Sequence, residues 1–550
     1  MKSSGRAQTS NTNNSMNSDP TGDQGKGIDT LESQQKSNYR SSSLESHLRR
    51  FIVVAIIIVV LSGAAIVGSH VHHRTLERSV ISPWSNGTPT VAAADAYSTS
   101  WYCAGPVRFP HGGTLQVVIA NTKNEAVSGT LEAVSEKASA TPRALLVKPM
   151  SDLVVNLFSK GEAKDGYLGS VVTMNGGGIG VAELSKNGAT ETPCSSSTAS
   201  NWYFPFGSTA PGEHTTILLF NPTHEPATAA VSIASTKSSY SSQTLQSITV
   251  KPMRVALLQL GHPLPSLKEA AITVTARSGQ LVAFEQESKT TPGSSSTTLV
   301  LGAPSPAKQW YFPLISPGKG VSDALYAYNP SYAPARLDVV FHGSMGGTSV
   351  YLVHTVVLSN RLNVLQLNSS TLPRAIGSAP FAVSVKSTNE IPVVVGRSME
   401  FSSSTPYGGY AIELGSLKPT TRSLLVAVTP SSGATASWLD LYDPTSVSGR
   451  GGGRSSGRSK IAGGGMIKVD VRSSSTGSST ASATSASSQQ VMRTAAEELR
   501  PDEPLGTLLP GSKATVVFLV VEAQVPLVAE VDTAKGGVAD LTLQLGLPFV

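Results

Sequence analysis

Hydrophobic and polar positions along this chain fall into three regimes. Residues 51–68, FIVVAIIIVVLSGAAIVG, contain no charge and show no polar face. Read as a helix, that run is ~27 Å long, about the thickness of a bilayer's hydrocarbon core. It predicts a single transmembrane helix with the lipid bilayer as partner. Arg40, Arg49 and Arg50 precede it and Arg74 and Arg78 follow, so the positive-inside rule places the N-terminus in the cytoplasm and the bulk of the chain outside. The rival reading is a cleaved signal peptide with small residues at Ser62-Gly63-Ala64-Ala65, although such apolar regions usually run ~7–15 residues. Residues 1–50 are rich in Ser, Asn, Gln and Gly; they bury too little apolar surface to offset chain entropy, which predicts a disordered cytoplasmic tail. Residues 69–98 read as a juxtamembrane stalk.

Beyond the stalk the period changes to two. Short alternating runs are broken by Gly, Pro, Asn and Ser every ~8–12 residues, the pattern of antiparallel strands. These runs repeat at intervals of about a hundred residues. Trp101-Tyr102-Cys103 returns as Trp202-Tyr203-Phe204 and Trp310-Tyr311-Phe312, and each opening is followed by a strand ending in Asn121, Asn221 or Asn329. Val147-Lys-Pro-Met150 matches Val250-Lys-Pro-Met253, and the stretch from Arg254 matches that from Arg361. A fourth, divergent unit carries Asp443-Pro444 where the others carry Asn-Thr or Asn-Pro. The expected organisation is all-β: tandem antiparallel immunoglobulin-like β-sandwich modules at 99–200, 201–307, 308–420 and 421–550. The last has a disordered Gly/Ser-rich insertion at about 446–490, interrupted by a strand-like Met466–Val471. Trp101, Trp202 and Trp310 are expected in the core or at a joint between neighbours rather than on a ligand-binding shelf.

Composition changes this picture little. Charged residues are 14% of the chain, against ~25% in typical soluble domains. The net charge of +6 forms no dense block, so no nucleic-acid partner is expected. The two cysteines, Cys103 and Cys194, both follow the apolar span, where an oxidising compartment permits pairing. They sit near opposite ends of the first unit, which predicts a bridge clamping that module; two buried free thiols are the alternative.

The search for chemistry yields no catalytic residue, no cofactor fingerprint and no metal site. His70, His72 and His73 lack an acidic or Cys partner. Gly453-Arg-Ser-Ser-Gly457 matches G-x-S-x-G, but a nucleophile elbow needs a strand-to-helix turn, and this copy lies in a Gly/Ser/Arg tract. Glu183, Glu285 and Glu530 occupy the closing part of three different units, with Gly396-Arg397 in the remaining one. They are expected to serve structural salt bridges or strand-end solvation. An enzyme would instead need carboxylates from one module converging in a pocket.

The Trp101-Tyr102-Cys103-Ala104-Gly105 opening, with the Asn-Pro strand ends and Trp-Tyr-x-Pro repeats, resembles an actinobacterial family of membrane-anchored exported proteins with a domain of unknown function. The likeness spans roughly residues 95–550; family members commonly have Pro where Ala104 stands. The resemblance implies no catalytic residues. The expected function is a non-enzymatic cell-envelope scaffold or protein-binding array. The alternative is a cell-wall carbohydrate or peptidoglycan binder that uses exposed aromatics such as Tyr240 or Tyr407, and an envelope hydrolase ranks below both.

Overall fold

The computed structural model describes residues 89–549 apart from several loop stretches, of which the longest are 445–466 and 473–504. The expected tail, membrane span and most of the stalk, the His70–His73 cluster and the Gly453–Gly457 match lie outside the described residues, as do most of the expected insertion and Tyr407. Among the described residues no helix is long and apolar enough to cross a membrane.

The architecture is antiparallel β throughout. The first module contains β1 (Thr99–Ala104), β2 (Leu115–Asn121), β3 (Val127–Val134), β4 (Arg143–Val147), β5 (Ser151–Asn156), β6 (Gly169–Met174), β7 (Ile179–Ser185) and β8 (Glu191–Pro193). They form two four-stranded sheets, β1-β6-β3-β4 and β5-β2-β7-β8. The second module runs through β9 (Asn201–Phe204), β10 (Glu213–Asn221), β11 (Ala227–Ala234), β12 (Ser239–Tyr240), β13 (Ile248–Val250) and β14 (Arg254–Gln259). It ends with β15 (Ala271–Ser278), β16 (Val282–Thr291) and β17 (Ser294–Leu301). The third contains β18 (Gln309–Ile315), β19 (Val321–Asn329), β20 (Ala335–Gly343), β21 (Val350–Val357), β22 (Arg361–Gln366), β23 (Phe381–Ser387), β24 (Val394–Phe401) and β25 (Gly409–Leu414). Their sheets repeat the order of the first: β14-β10-β16-β17 corresponds to β22-β19-β24-β25, and β18-β23-β20-β21 to β1-β6-β3-β4.

The fourth module departs from this plan. It has β26 (Thr420–Ala427), β27 (Thr435–Tyr442), β28 (Ile467–Arg472), β29 (Leu505–Leu508), β30 (Val517–Lys535), β31 (Asp540–Leu545) and β32 (Leu547–Pro548). The 19-residue β30 pairs with β26 and β28 along its first half and with β27 and β31 along its second. Part of the 446–490 insertion is therefore a strand within the sheet, not loop alone.

Each regular module buries apolar residues from both of its sheets in one cluster, as Trp310, Leu325, Leu337, Phe341 and Val385 do in the third. The Trp residues are core: all three are 1% exposed, and the indole nitrogens of Trp202 and Trp310 donate to the carbonyls of Leu281 and Val393 at 2.9 Å. The Asn landmarks are fully buried turn brackets. Asn221 Nδ2 donates to the carbonyls of Glu225 and Val250, while its Oδ1 accepts from the Thr223 amide. Asn121 and Asn329 make the same bonds at their own turns. A buried side chain that satisfies three backbone groups explains why the repeat retains Asn at that point.

The modules close into a ring. The Val255 amide donates to Ser135 across the first joint, and the Leu362 amide donates to Ser235 across the second, both at 3.2 Å. Phe206 meets Tyr326 edge to face at 5.7 Å, and His342 lies 5.3 Å from Tyr442 at the third joint. The ring closes where the Val91 amide donates to Pro548 at 2.8 Å and where Leu424, Phe518 and Leu547 enter the core of the first module. Gly180 makes that last approach possible, since a Cβ there would sit 2.2 Å from Leu424 Cδ2.

Candidate functional site

Ring closure brings the last strand of each main sheet to the centre. There β8 lies against β17, β17 against β25, β25 against β31, and β31 against β8. Strands β17 and β25 advance together: Ser296 Oγ accepts from the Tyr410 amide at 2.9 Å, and Thr298 Oγ1 accepts from the Ile412 amide at 3.4 Å. These strands would otherwise be sheet edges, with unpaired backbone groups open to other chains. Packing them on a common axis covers those edges.

Where these strands end, the axis opens into a cavity of about 570 Å³ lined by all four modules. Its walls are mostly apolar, with Leu299, Leu301, Ile412, Leu527 and Leu547 among them. Half-buried Thr90 and Phe549 and exposed Lys418 mark its outer side, whereas Glu191, Glu413 and Gln544, each no more than 3% exposed, mark the inner side. With the Gln544 amide nitrogen turned towards its acceptors, it donates to Glu191 Oε1 at 2.8 Å and to the Val426 carbonyl. Glu191 Oε2 has no hydrogen-bond partner among the described residues. Burial pushes the Glu191 carboxyl up to about 8.

Behind Glu413, at the joint between the third and fourth modules, lies a buried charge network. Arg397 Nε donates to Asp323 Oδ1 at 3.1 Å, and its Nη1 donates to the Leu314 carbonyl at 2.8 Å. The same Nη1 lies 3.4 Å from Glu530 Oε1 and 3.7 Å from Glu413 Oε1. All four side chains are 5% exposed or less. Burial alone would lower the guanidinium's affinity for its proton, but Asp323, Glu530, Asp532 and Glu413 outweigh it and hold Arg397 charged. Burial drives Asp440, Glu530 and Asp532 well above the usual carboxylate range, and repulsion adds to it, from Asp532 on Asp440, from Glu413 on Glu530 and from Glu530 on Asp532. Glu413 reaches about 8, with burial partly offset by Arg397.

A second, polar cleft of about 180 Å³ separates the second and third modules. Glu213, Glu269 and Glu287 of one module line it together with Glu400 of the next. Lys289 Nζ reaches Glu400 at 2.6 Å and Glu213 at 3.7 Å, and lies 5.2 Å from the centre of the Tyr410 ring. The Thr215 hydroxyl bonds to Glu287 Oε1. Burial pushes Glu287 to about 8, against the pull of that bond. Its fully buried neighbour Glu285 is held well above the usual range, by burial first and by Glu287 second.

Cys103 and Cys194 form a disulfide that joins the end of β1 to the residue after β8, with Cα atoms 4.6 Å apart. Glu183 packs beside it, its carboxylate within 4.8 Å of both sulfurs. With both sulfurs spent in a disulfide there is no thiolate to offer a metal. A Cβ on Gly105 would lie 1.8 Å from Glu183 Oε1, so the side chain fills the space that this glycine leaves.

The structure corrects the reading of Glu183 and Glu285 as salt-bridge or strand-end residues, whereas Glu530 makes an ion pair of the expected structural kind, with Arg397. All three acids, Glu183, Glu285 and Glu530, lie inside strands at 2% exposure or less, and among the described residues only Glu530 has a cation within reach. Nor are the units independent here, since Arg397 of the third module meets Glu530 of the fourth. Tyr240 is half-buried, with Ser238 Oγ donating to its hydroxyl at 2.7 Å, so it is not an open aromatic shelf. Glu191, Glu413 and Gln544 were not singled out from the sequence. For Glu413 and Gln544 the sequence signal is a polar residue between two apolar ones, Ile412-Glu413-Leu414 and Leu543-Gln544-Leu545; Glu191, in Glu191-Thr192-Pro193, has no such signal.

A family model described as a family of unknown function (DUF5719) matches residues 181–361, from within β7 to the first residue of β22. The match covers less than half of the chain. No curated protein matches it. A solved structure, Thermotoga maritima 1070, is 18% identical over 19% of this chain and 92% of its own, with a TM-score of 0.18. That likeness is too slight to bear on the fold.

Proposed function

We propose that this chain is a membrane-tethered extracytoplasmic protein of non-enzymatic kind, whose ring of β modules holds a small molecule on its axis. The observation that carries this reading is the axial cavity, an apolar space built jointly by four modules. A cavity of that size suits one small ligand, and apolar walls with a few converging polar groups are the usual makings of a binding site. The charge-free run at 51–68 supports the tether, and the Cys103–Cys194 bridge is the sort of bond that persists in an oxidising compartment. The resemblance to membrane-anchored exported proteins points the same way.

Each regular module is read as a variant of the immunoglobulin-like sandwich. The β2–β5 and β3–β6 pairings are those of strands B–E and C–F, while β1 and β7 join the sheets opposite to those of strands A and G. A second reading, an envelope scaffold for proteins, is favoured by edge strand β21. Tyr351, Leu352 and Val356 on that strand, and Leu358 after it, are 38–60% exposed, a face suited to adding an extended partner strand. A wall-polymer binder would use the polar cleft at the second joint.

The test is to extract the full chain from membranes in mild detergent and examine it by native mass spectrometry. A reproducible small-molecule adduct, lost when Leu301→Trp fills the cavity, supports the axial reading. A bare chain whose melting temperature is unmoved by any member of a broad small-molecule panel overturns it.

A further inference from the structure

We propose that the side of the ring on which the chain enters rests on the surface of an anionic lipid bilayer. Exposed tyrosine, leucine and valine side chains at its turns would dip into the headgroup layer, with lysines and arginines around them. The inference rests on the tether of the proposed function and adds an orientation to it.

Strand direction defines that side. The inner strands β17 and β25 run in parallel and end at the axial cavity. Two strands further out, β10 and β19 run the same way as the inner strands, because each intervening pairing is antiparallel. Their closing residues Asn221 and Asn329 therefore lie toward the end at which the cavity opens. In the first module the Thr122 amide donates to Gly178, whose own amide donates to Ala92. That sets the Asn121 turn beside the entering chain, whose Thr90 lines the cavity. In the third, Ser331 Oγ donates to the carbonyl of Pro392, next to the residue that holds the Trp310 indole. Chain entry, cavity mouth and Asn turns share one side.

Exposed apolar side chains gather there. Seven large ones stand out among the described residues, and five of them, Tyr97, Leu146, Tyr332, Val356 and Leu358, lie on or beside these turns. Tyr332 is inside the Asn329 turn. Leu146, Val356 and Leu358 flank Val147 and Val357, whose carbonyls Asn121 and Asn329 hold. Tyr97 follows Ala93 and Ala96, which pack on Gly177. Apolar residues exposed singly need no explanation, but a gathering on one side marks a contact surface. Lys148, Lys251 and Lys418 are exposed on the same side, with Arg254 and Arg361 half-buried at its turns. Of the acids on these turns, Glu125 and Glu390 are already paired with Lys123 and Lys308, which leaves Asp95 and Glu225.

Tyrosine and leucine with an excess of cations suit the interface of a bilayer that carries anionic headgroups. The lipid is within reach. Twenty residues, 69–88, separate the charge-free span from Pro89, at most ~70 Å of extended chain. Docked in this way, the ring turns the mouth of the axial cavity toward lipid.

The experiment uses the full chain in nanodiscs of phosphatidylcholine, alone or mixed with phosphatidylglycerol. A nitroxide is attached at Tyr332→Cys, at Leu358→Cys, or at Thr290→Cys near the far end of β16. All three positions are exposed, and the natural cysteines stay in their disulfide. Collision with oxygen, which concentrates in lipid, is compared with collision with a water-soluble nickel chelate. In anionic discs the oxygen-to-nickel ratio at 332 and 358 should exceed that at 290 severalfold. Lys148→Glu/Lys251→Glu should lower the docked-to-free ratio about twentyfold or more, since each lysine near an anionic surface contributes about fivefold. Labels at 332 and 358 as wet as the one at 290 overturn the docking and leave the tether standing, and they point to a protein on this side instead. Equal contact in neutral and anionic discs overturns the anionic-lipid assignment. A chain that enters no disc overturns the tether, and the orientation with it.

Discussion

The first and third modules solve the same structural problem with opposite chemistry. In each, the residue paired across the sheet from the position four before the turn Asn points into the inner end of the sandwich. It is Glu183 in the first module, opposite Val117, and Arg397 in the third, opposite Leu325. Module one sets its acid against a disulfide and a glycine, and it remains without a hydrogen-bond partner among the described residues. Module three sets a cation there and surrounds it with acids, one from its own β19, one from β25 and one from the fourth module. Backbone register is shared, but the neighbour is not. The third module faces the side of β30 that carries Glu530 and Asp532, and an acid in place of Arg397 would leave that cluster with no counter-charge. A covalent staple holds one end of the ring and an ion network holds the other.

The largest effect expected from breaking this comparison lies on the covalent side. Closing 91 residues of separation restricts the unfolded chain by about 4–5 kcal/mol in the chain-entropy model. The double variant Cys103→Ala/Cys194→Ala should lose a stability of that order in a denaturant titration, with the loss confined to the transition that unfolds the first module. A loss below about 1 kcal/mol would mean that packing around Glu183 and Gly105, not the bond, holds that end.

On the ionic side, Arg397→Met should cost about 3–5 kcal/mol near neutral pH, the usual consequence of leaving buried acids without their cation. Unlike the disulfide loss, this cost should shrink as pH falls, because Asp323, which accepts the guanidinium's hydrogen bond, no longer needs a counter-charge once protonated, while Glu413, at about 8, already holds its proton near neutral pH. Denaturant midpoints of natural and variant chains between pH 8 and pH 5 check this, and parallel pH curves would refute the network account.

A smaller, graded effect separates both ends from the cleft at the second joint. Glu287 has a folded-state pKa of about 8 against an ordinary 4.5. The folded chain therefore holds more protons than the unfolded one between those values. The stabilisation from the protonated form is complete below about pH 4.5 and is lost progressively as pH rises towards 8. Glu287→Gln keeps the hydrogen-bonding shape without the charge and should flatten that slope. Glu191 and Glu413, also raised to about 8, will leave a residual slope in the variant.

Much of this was legible in the residues, and what was not has a physical cause. Alternation and turn chemistry are local, so strands such as Leu115–Asn121 and their Asn brackets showed plainly in the sequence. The Trp residues could be assigned to the core because the same spacing recurred three times. Ring closure could not be read, because it depends on which faces of β8, β17, β25 and β31 meet, and those faces carry no periodic mark. For the same reason Glu183 and Glu285 read as salt-bridge or solvated strand-end residues: an acid inside an apolar strand betrays burial only when its neighbours in space are known. The pairing of Arg397 with Glu530 spans 133 residues and two modules, beyond the reach of any local pattern.

The smallest effect concerns the backbone that the modules share. Met150, Met253 and Asn360 occupy the same turn with φ of 47°, 49° and 50°, a left-handed conformation that costs most side chains about 1 kcal/mol and that Asn tolerates better. The third module already has Asn. Changing Met150, which is half-buried, to Asn should raise stability by up to about 1 kcal/mol. Met253 has the same backbone but packs in the core of its module at 9% exposure. There the apolar burial lost by Met253→Asn, about 1.5–3 kcal/mol for a fully buried methionine, should exceed the relief and make the variant less stable. Opposite signs at two turns of equal φ would show that packing, not strain, decides which residue each module keeps; a gain at both would mean that Met253 contributes nothing to the core it touches.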